Sequence, residues 1–313
     1  MRANSHELIL TAGMASFNYG YMNNVIAGSF AQTTFIAKFL SGSNASSITD
    51  AMVSGYVSAL LSIKLSLSPF RFFGFALVGA VVQSYISDKW GRRAATGMGA
   101  ISLVIAGAIQ AGSENIATFL VGRYIAGFGC GIVLSNTPVY MSEIAPPHTR
   151  GLLVGLQGNC IVWGYICSSC SALGFHYVDQ DYQWRLNFII ATGVAVALLV
   201  SLFFLPESPR WLVEKGHKNE AAKILGRIHR TKTDPDGIYA HAEMIQIIAQ
   251  VESEKSLDKS FLNIIRTPAL RKRMICTLLV WTSAYKLAPY STLHVSKMGT
   301  FVKLYTYSIS RKG

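Results

Sequence analysis

Charge is what this sequence has least of. Only 14% of its 313 residues are Asp, Glu, Lys or Arg, against about 25% in an ordinary soluble domain. Too little polar sequence remains to cover helices built from the 51% of residues that are apolar. Acidic residues are the scarcer sign, 16 against 28 basic ones, for a formal net charge of +12. A nucleic-acid binder would gather such an excess on a solvated face. Here the basic residues punctuate long apolar runs instead, which argues against a nucleic-acid partner. Cysteine is sparse too, at five residues. Cys167-Ser-Ser-Cys170 matches C-x-x-C, yet it lies in an apolar run with no βαβ pattern and no second pair, so it reads as small buried helix residues. The start, MRANSHELIL, lacks the basic region and short apolar core of a cleaved leader. No nucleophile–base set, phosphate loop or metal cluster is visible, so neither an enzyme nor a bound cofactor or metal is expected.

What is present is apolar length. A bilayer-crossing helix needs about 20 mostly apolar residues. Residues 8–30, 94–113, 115–142, 151–178 and 186–205 supply such runs, with Arg123 the one charge inside them, and the run ending at Tyr85 supplies a sixth. The expectation is an all-α polytopic membrane protein. Residues 1–205 would form a six-span N-terminal domain, 206–273 a cytoplasmic helical linker, and 274–313 the start of a further transmembrane domain with a partial seventh span. Lys and Arg in short loops mark the cytoplasmic side. Lys89, Arg92, Arg93, Arg150, Arg210, Lys215 and Lys218 all fall on one side if the N-terminus is cytoplasmic, and the opposite loops hold few basic residues. Asn44-Ala-Ser46 then faces outward, making Asn44 a glycosylation candidate.

The charges that do occur are knotted together. Ser87-Asp-Lys-Trp-Gly-Arg-Arg93 ends the second span, Pro138-x-Tyr140-x-x-Glu143-x-x-Pro146 closes the fourth, Arg150-Gly151 opens the fifth, and Pro206-Glu-Ser-Pro-Arg-Trp-Leu212 follows the sixth. Gly122-Arg123 is followed by Gly127, Gly129 and Gly131, a small-residue spacing that lets helices approach closely in lipid. Gln183-Trp-Arg185 precedes the sixth span.

In this order and spacing the motifs resemble the sugar-porter branch of the major facilitator superfamily, best of all its fungal members, over roughly residues 9–280. The resemblance implies the N-terminal half of that fold and movement of a monosaccharide across the lipid bilayer of a plasma membrane by alternating access. It also implies a cytoplasmic charge network whose members here would be Asp88, Arg92, Arg93, Glu143, Arg150, Glu207 and Arg210, with Asp88 and Arg92 the expected pair. It assigns Gln157 to the hydroxyls of the sugar. Intramembrane charge such as Arg123 normally faces a partner or a watery cavity. In proton-coupled members that partner is an Asp in the first span, in a pattern like F-G-Y-D. Here Tyr19-Gly-Tyr-Met22 occupies the place, and residues 8–30 hold no carboxylate. Facilitated diffusion is favoured.

Two features depart from the family. Lys64, Pro69 and Arg71 interrupt the second span. Full members have two six-span halves with the sugar site between them, whereas this chain reaches only the start of a seventh span. Transport by the chain alone is therefore expected to be poor or absent, with a sugar sensor or a non-transporting associate of a full-length carrier as alternatives. The interruption reads as an in-frame insertion, and sequencing the spliced transcript tests it. A mature message lacking the codons for residues 62–72 is the expected result, and one that encodes them refutes the idea.

Overall fold

The computed structural model describes residues 5–30, 35, 72, 74–145, 150–175, 177, 182–229 and 238–255, with six isolated helical positions between 268 and 279. The candidate glycosylation site Asn44, the suspected insertion apart from Phe72, and most of the seventh run lie outside the described residues. The chain divides into two units, Met1–Val251 and Glu252–Gly313. In the second, the described positions, among them Pro268, Ile275 and Leu279, are exposed.

Every regular element among the described residues is a helix. Six long ones come first: α1 (Ser5–Phe30), α2 (residues 74–90), α3 (Arg92–Ala111), α4 (Ile116–Ile144), α5 (Arg150–Phe175) and α6 (Gln183–Ser201). Three shorter ones follow: α7 (Pro209–Glu214), α8 (Lys218–His229) and α9 (Ile238–Lys255). By length and composition α3 to α6 can each cross a membrane. The polar side chains Asn18, Asn23 and Asn24 make α1 less apolar, and α2 spends its last turn on Asp88 and Lys89. The protein is a multi-pass membrane protein.

Lipid tails are as apolar as leucine, so helices in a bilayer gain little from mutual burial and must pack by close approach. The α1–α5 seam does this with glycine. A Cβ on Gly20 would overlap the carbonyl of Ile161, and one on Gly164 the carbonyl of Phe17. Gly131 of α4 meets the backbone of α2 at Ala76 in the same way, and Gly129 meets α3 at Gly99. The interior is closed by edge-to-face aromatics. Phe119 stands 5.5 Å from Phe188 and 6.4 Å from Trp184, centroid to centroid, a spacing at which the ring quadrupoles attract. The helices α7 to α9 carry a small core of their own, built from Leu212, Val213, Ala221, Leu225, Met244, Ile247 and Val251.

The α1–α5 seam gives a direct test. Gly164→Val forces the backbones apart and is expected to cost about 1–3 kcal/mol, read as a lowered Tm in detergent. Gly158→Ala, where nothing lies within 4 Å of the added atom, is expected to leave Tm unchanged. An unshifted Tm for Gly164→Val refutes the backbone contact.

Candidate functional site: a charge latch at the helix ends

The second and third helices are separated by one residue. Gly91 has φ +95°, the left-handed region that favours glycine. A Cβ there would also stand 2.5 Å from Oε2 of Glu207. The first N–H groups of a helix have no intrahelical partner, and α3 has no side-chain cap from its own N-cap residue. Glu207, from the segment after α6, fills that role. Its Oε1 accepts the backbone N–H of Arg92 at 2.8 Å and of Arg93 at 3.2 Å, and that of Ser208 at 3.0 Å. A carboxylate is well placed at the positive end of a helix dipole. Burial pushes the Glu207 carboxyl above its ordinary range, while the three N–H donors and the Arg92 charge pull it down.

The Arg92 guanidinium turns to α4. Its Nε and Nη2 donate to the two carboxylate oxygens of Glu143, each at 2.9 Å. The two side chains are 9% and 8% exposed. Nη1 donates to the Ser87 carbonyl at 3.0 Å. Asp88, the partner expected from sequence, lies 3.5 Å away with its side chain 74% exposed, a geometry worth about 0–1 kcal/mol. The chief partner is therefore Glu143. The Gly91 turn separates Asp88 from the helix that carries Arg92 and leaves its carboxylate in solvent. Breaking a buried pair of this kind costs about 3–5 kcal/mol, yet replacing both members by apolar groups is often neutral.

Ser208 ties in the last strand of the knot. Its hydroxyl donates to Oε2 of Glu143 at 2.6 Å and accepts the Trp211 N–H at 3.4 Å, capping α7. Trp211 Nε1 donates to the Asp88 carbonyl at 3.1 Å, and the Tyr140 hydroxyl donates to the Pro206 carbonyl. The ends of α2, α3, α4 and the α6–α7 junction are thus joined through Arg92, Glu143, Glu207 and Ser208.

Not every charged residue of the expected network reaches this knot. Arg93 enters through its backbone N–H. Arg150 forms an ion pair with Glu243 of α9 at 3.7 Å and donates to the Ala145 carbonyl at 3.4 Å. The acid that Arg150 meets thus comes from the linker, while Glu143 accepts from Arg92 and Ser208. Arg210 sits in α7, half-buried.

Arg123 is 2% exposed. It donates from Nη1 to the Met22 carbonyl at 3.2 Å and lies beside the rings of Phe119 and Phe188, at 5.6 and 5.3 Å. The contact is with the backbone of Met22, not its side chain. Gln157 is 9% exposed on the buried stripe of α5 that continues through Gly164, Ser168 and Ala172. Gly164 and Ala172 abut α1, so this amide lies on the α1 side of its helix, while Asn159 and Trp163 are exposed.

Sequence reasoning missed two members of the site. Ser208 carried a usable signal: a serine directly before a proline is an N-cap followed by an N1 proline. Asn136, fully buried in α4, carried none, because a single amide in an apolar run has no periodic signature.

The raised carboxyl of Glu207 has a signed consequence. The folded state holds its proton above the ordinary value of 4.5, so between the two values it binds more protons than the unfolded chain. That contribution to stability is complete below the ordinary value and is lost as pH rises through the raised one. Glu207→Gln is expected to flatten this part of the pH profile of thermal unfolding in detergent. An unchanged profile assigns the slope to another group.

A family profile described as "Sugar (and other) transporter" matches residues 8–285. The MFS-type transporter criB of Aspergillus cristatus is 32% identical over 86% of this chain and 54% of its own length. The glucose transporter GlcP of Staphylococcus epidermidis is 31% identical over 88% of this chain and 54% of its own. Among solved structures, the xylose transporter XylE from E. coli, in a partially occluded inward-open conformation, superposes with a TM-score of 0.65 at 23% identity, over 81% of this chain and 59% of that one. The chain spans about half the length of the curated relatives it matches. Profile, relatives and six-helix fold agree: this chain belongs to the sugar transporter family of the major facilitator superfamily.

Proposed function

We propose that this chain carries the inner gate of a monosaccharide carrier that works by alternating access. The observation that carries the reading is the buried bidentate pair of Arg92 and Glu143, linked through Ser208 and Glu207 to the end of α6. Directional contacts of this kind can break and re-form between two packings of the same helices. The distribution of Lys and Arg supports placing these ends, and the N-terminus, on the cytoplasmic side of a plasma membrane. The proposal concerns the half of the carrier that this chain contains.

A monosaccharide presents several hydroxyls, each a donor and an acceptor, which an amide can match on both counts. Gln157 at the α1–α5 seam is the residue we assign to it. Coupling to protons needs a titratable acid beside Arg123. Arg123 meets the Met22 carbonyl, and residues 8–30 hold no carboxylate, which supports movement down the sugar gradient without proton coupling.

Because the sugar site of the fold lies between two six-span halves, the test is equilibrium binding of labelled glucose, xylose and myo-inositol to this chain co-expressed with the C-terminal half of a full-length sugar carrier and purified into nanodiscs. Saturable binding, independent of pH, is expected for at least one of them. Gln157→Ala is expected to weaken it about tenfold, or about 1.4 kcal/mol, and Met22→Asp to make it pH-dependent. Absence of saturable binding overturns the carrier reading. Wild-type affinity that tracks pH overturns proton independence.

A further inference from the structure

We infer that Asn136 is a positioning residue for the latch. It holds the backbone of Arg92 while Glu143 holds its side chain, so that α2, α3 and α4 stay joined when the ionic contacts open. The inference rests on the gate reading above.

The amide of Asn136 has four hydrogen-bonding positions, and all four are used. Its Nδ2 donates to the Arg92 carbonyl and to Thr96 Oγ1, both at 2.7 Å. Its Oδ1 accepts from Gln83 Nε2 at 2.8 Å and from Ser87 Oγ at 3.3 Å. One side chain of α4 therefore binds two residues of α2 and two of α3. Gln83, Ser87 and Thr96 are buried with it. Glu143 lies seven residues further along α4, two helical turns on and thus on the same face. Asn136 and Glu143 grip one residue from one helix face, at its carbonyl and at its guanidinium.

The two grips differ in kind. The Asn136 grip is neutral, dry and saturated, and stranding a buried amide costs the desolvation of every group left unpaired. The Glu143 grip is ionic and shares an oxygen with Ser208, which belongs to the α6–α7 junction. Opening the latch therefore separates α7 from the start of α3 and does not separate α3 from α4. The surrounding helix has unusual freedom that Asn136 restrains. Pro138 removes a backbone donor two residues on, and Ser135 and Thr137 return their hydroxyls to the Gly131 and Val133 carbonyls, bonding that bends helices.

Distances between spin labels test this without reference to substrate. The labels are placed at Ala94 on α3, Val139 on α4 and Lys215 after α7, all exposed, in the full chain with its five cysteines replaced by alanine. Glu143→Gln is expected to broaden the Ala94–Lys215 distribution and leave Ala94–Val139 unchanged. Asn136→Leu is expected to broaden Ala94–Val139. If that variant folds poorly, Gln83→Leu added to it removes one of the four stranded partners; Tm is then expected to recover in part while the broadened Ala94–Val139 distribution persists, which a packing role alone does not predict. An unchanged Ala94–Val139 distribution in the leucine variants overturns the inference, as does equal broadening by Glu143→Gln alone. Loss of sugar binding with the expected distance pattern counts against the carrier reading and leaves the clamp standing.

Discussion

Four helix ends converge on one arginine. Arg92 is the first residue of α3, and that position decides what it can do. A first-turn N–H has no partner in its own helix, so it is free to meet Glu207, while the carbonyl and guanidinium are both within reach of α4. The next N–H, that of Arg93, is equally free and meets the same carboxylate oxygen. The geometry also requires Gly91, because any side chain there would occupy the space of the Glu207 carboxylate. The knot of charge in the second-span motif is thus a means of presenting one residue to three neighbours at once.

Elsewhere in the membrane unit, glycine seams along α1–α5 and α2–α4 bring backbones together, and edge-to-face aromatics around Phe119 fill the interior. Directional contacts cross the α1–α5 seam too: the Tyr21 hydroxyl meets that of Ser171, Asn23 donates to the Tyr165 hydroxyl, and Asn24 donates to the Tyr165 carbonyl and the Ser169 hydroxyl. At the helix ends they gather on Arg92, Glu143, Asn136 and Glu207. The buried Arg123 is the counter-example at the other end of α4. It is held by one carbonyl and two ring faces, with no carboxylate beside it among the described residues.

The long helices were legible because crossing a bilayer imposes a length, and charge-free runs of that length are hard to hide; among the described residues four of them are long and apolar enough to cross. The family motifs marked Arg92, Glu143 and Glu207 as residues to examine. Which atoms meet was not legible. Glu207 uses backbone N–H groups, and nothing in a one-letter string distinguishes that from pairing with a guanidinium. Arg150 goes to Glu243, an acid 93 residues away in the linker, and no spacing in the string announces that pairing. The orientation of Gln157 toward α1 depends on the phase of α5, which a long run of apolar residues on all sides does not fix. Asn136 is the clearest omission, since its importance comes entirely from having neighbours on two other helices.

The Ser208 hydroxyl has two duties, and they bind secondary structure to ion pairing. It accepts the N–H that starts α7 and donates to the carboxylate that holds Arg92. At six residues, α7 is far shorter than the roughly 12–15 residues an isolated helix needs to persist in water. It is held by the core that Leu212 and Val213 share with α8 and α9 and by the Ser208 cap. Helicity at residues 209–214 and closure of the charge pair thus share one hydroxyl, and the Trp211 backbone amide is the place where hydrogen exchange would read a carboxylate 68 residues earlier in the chain.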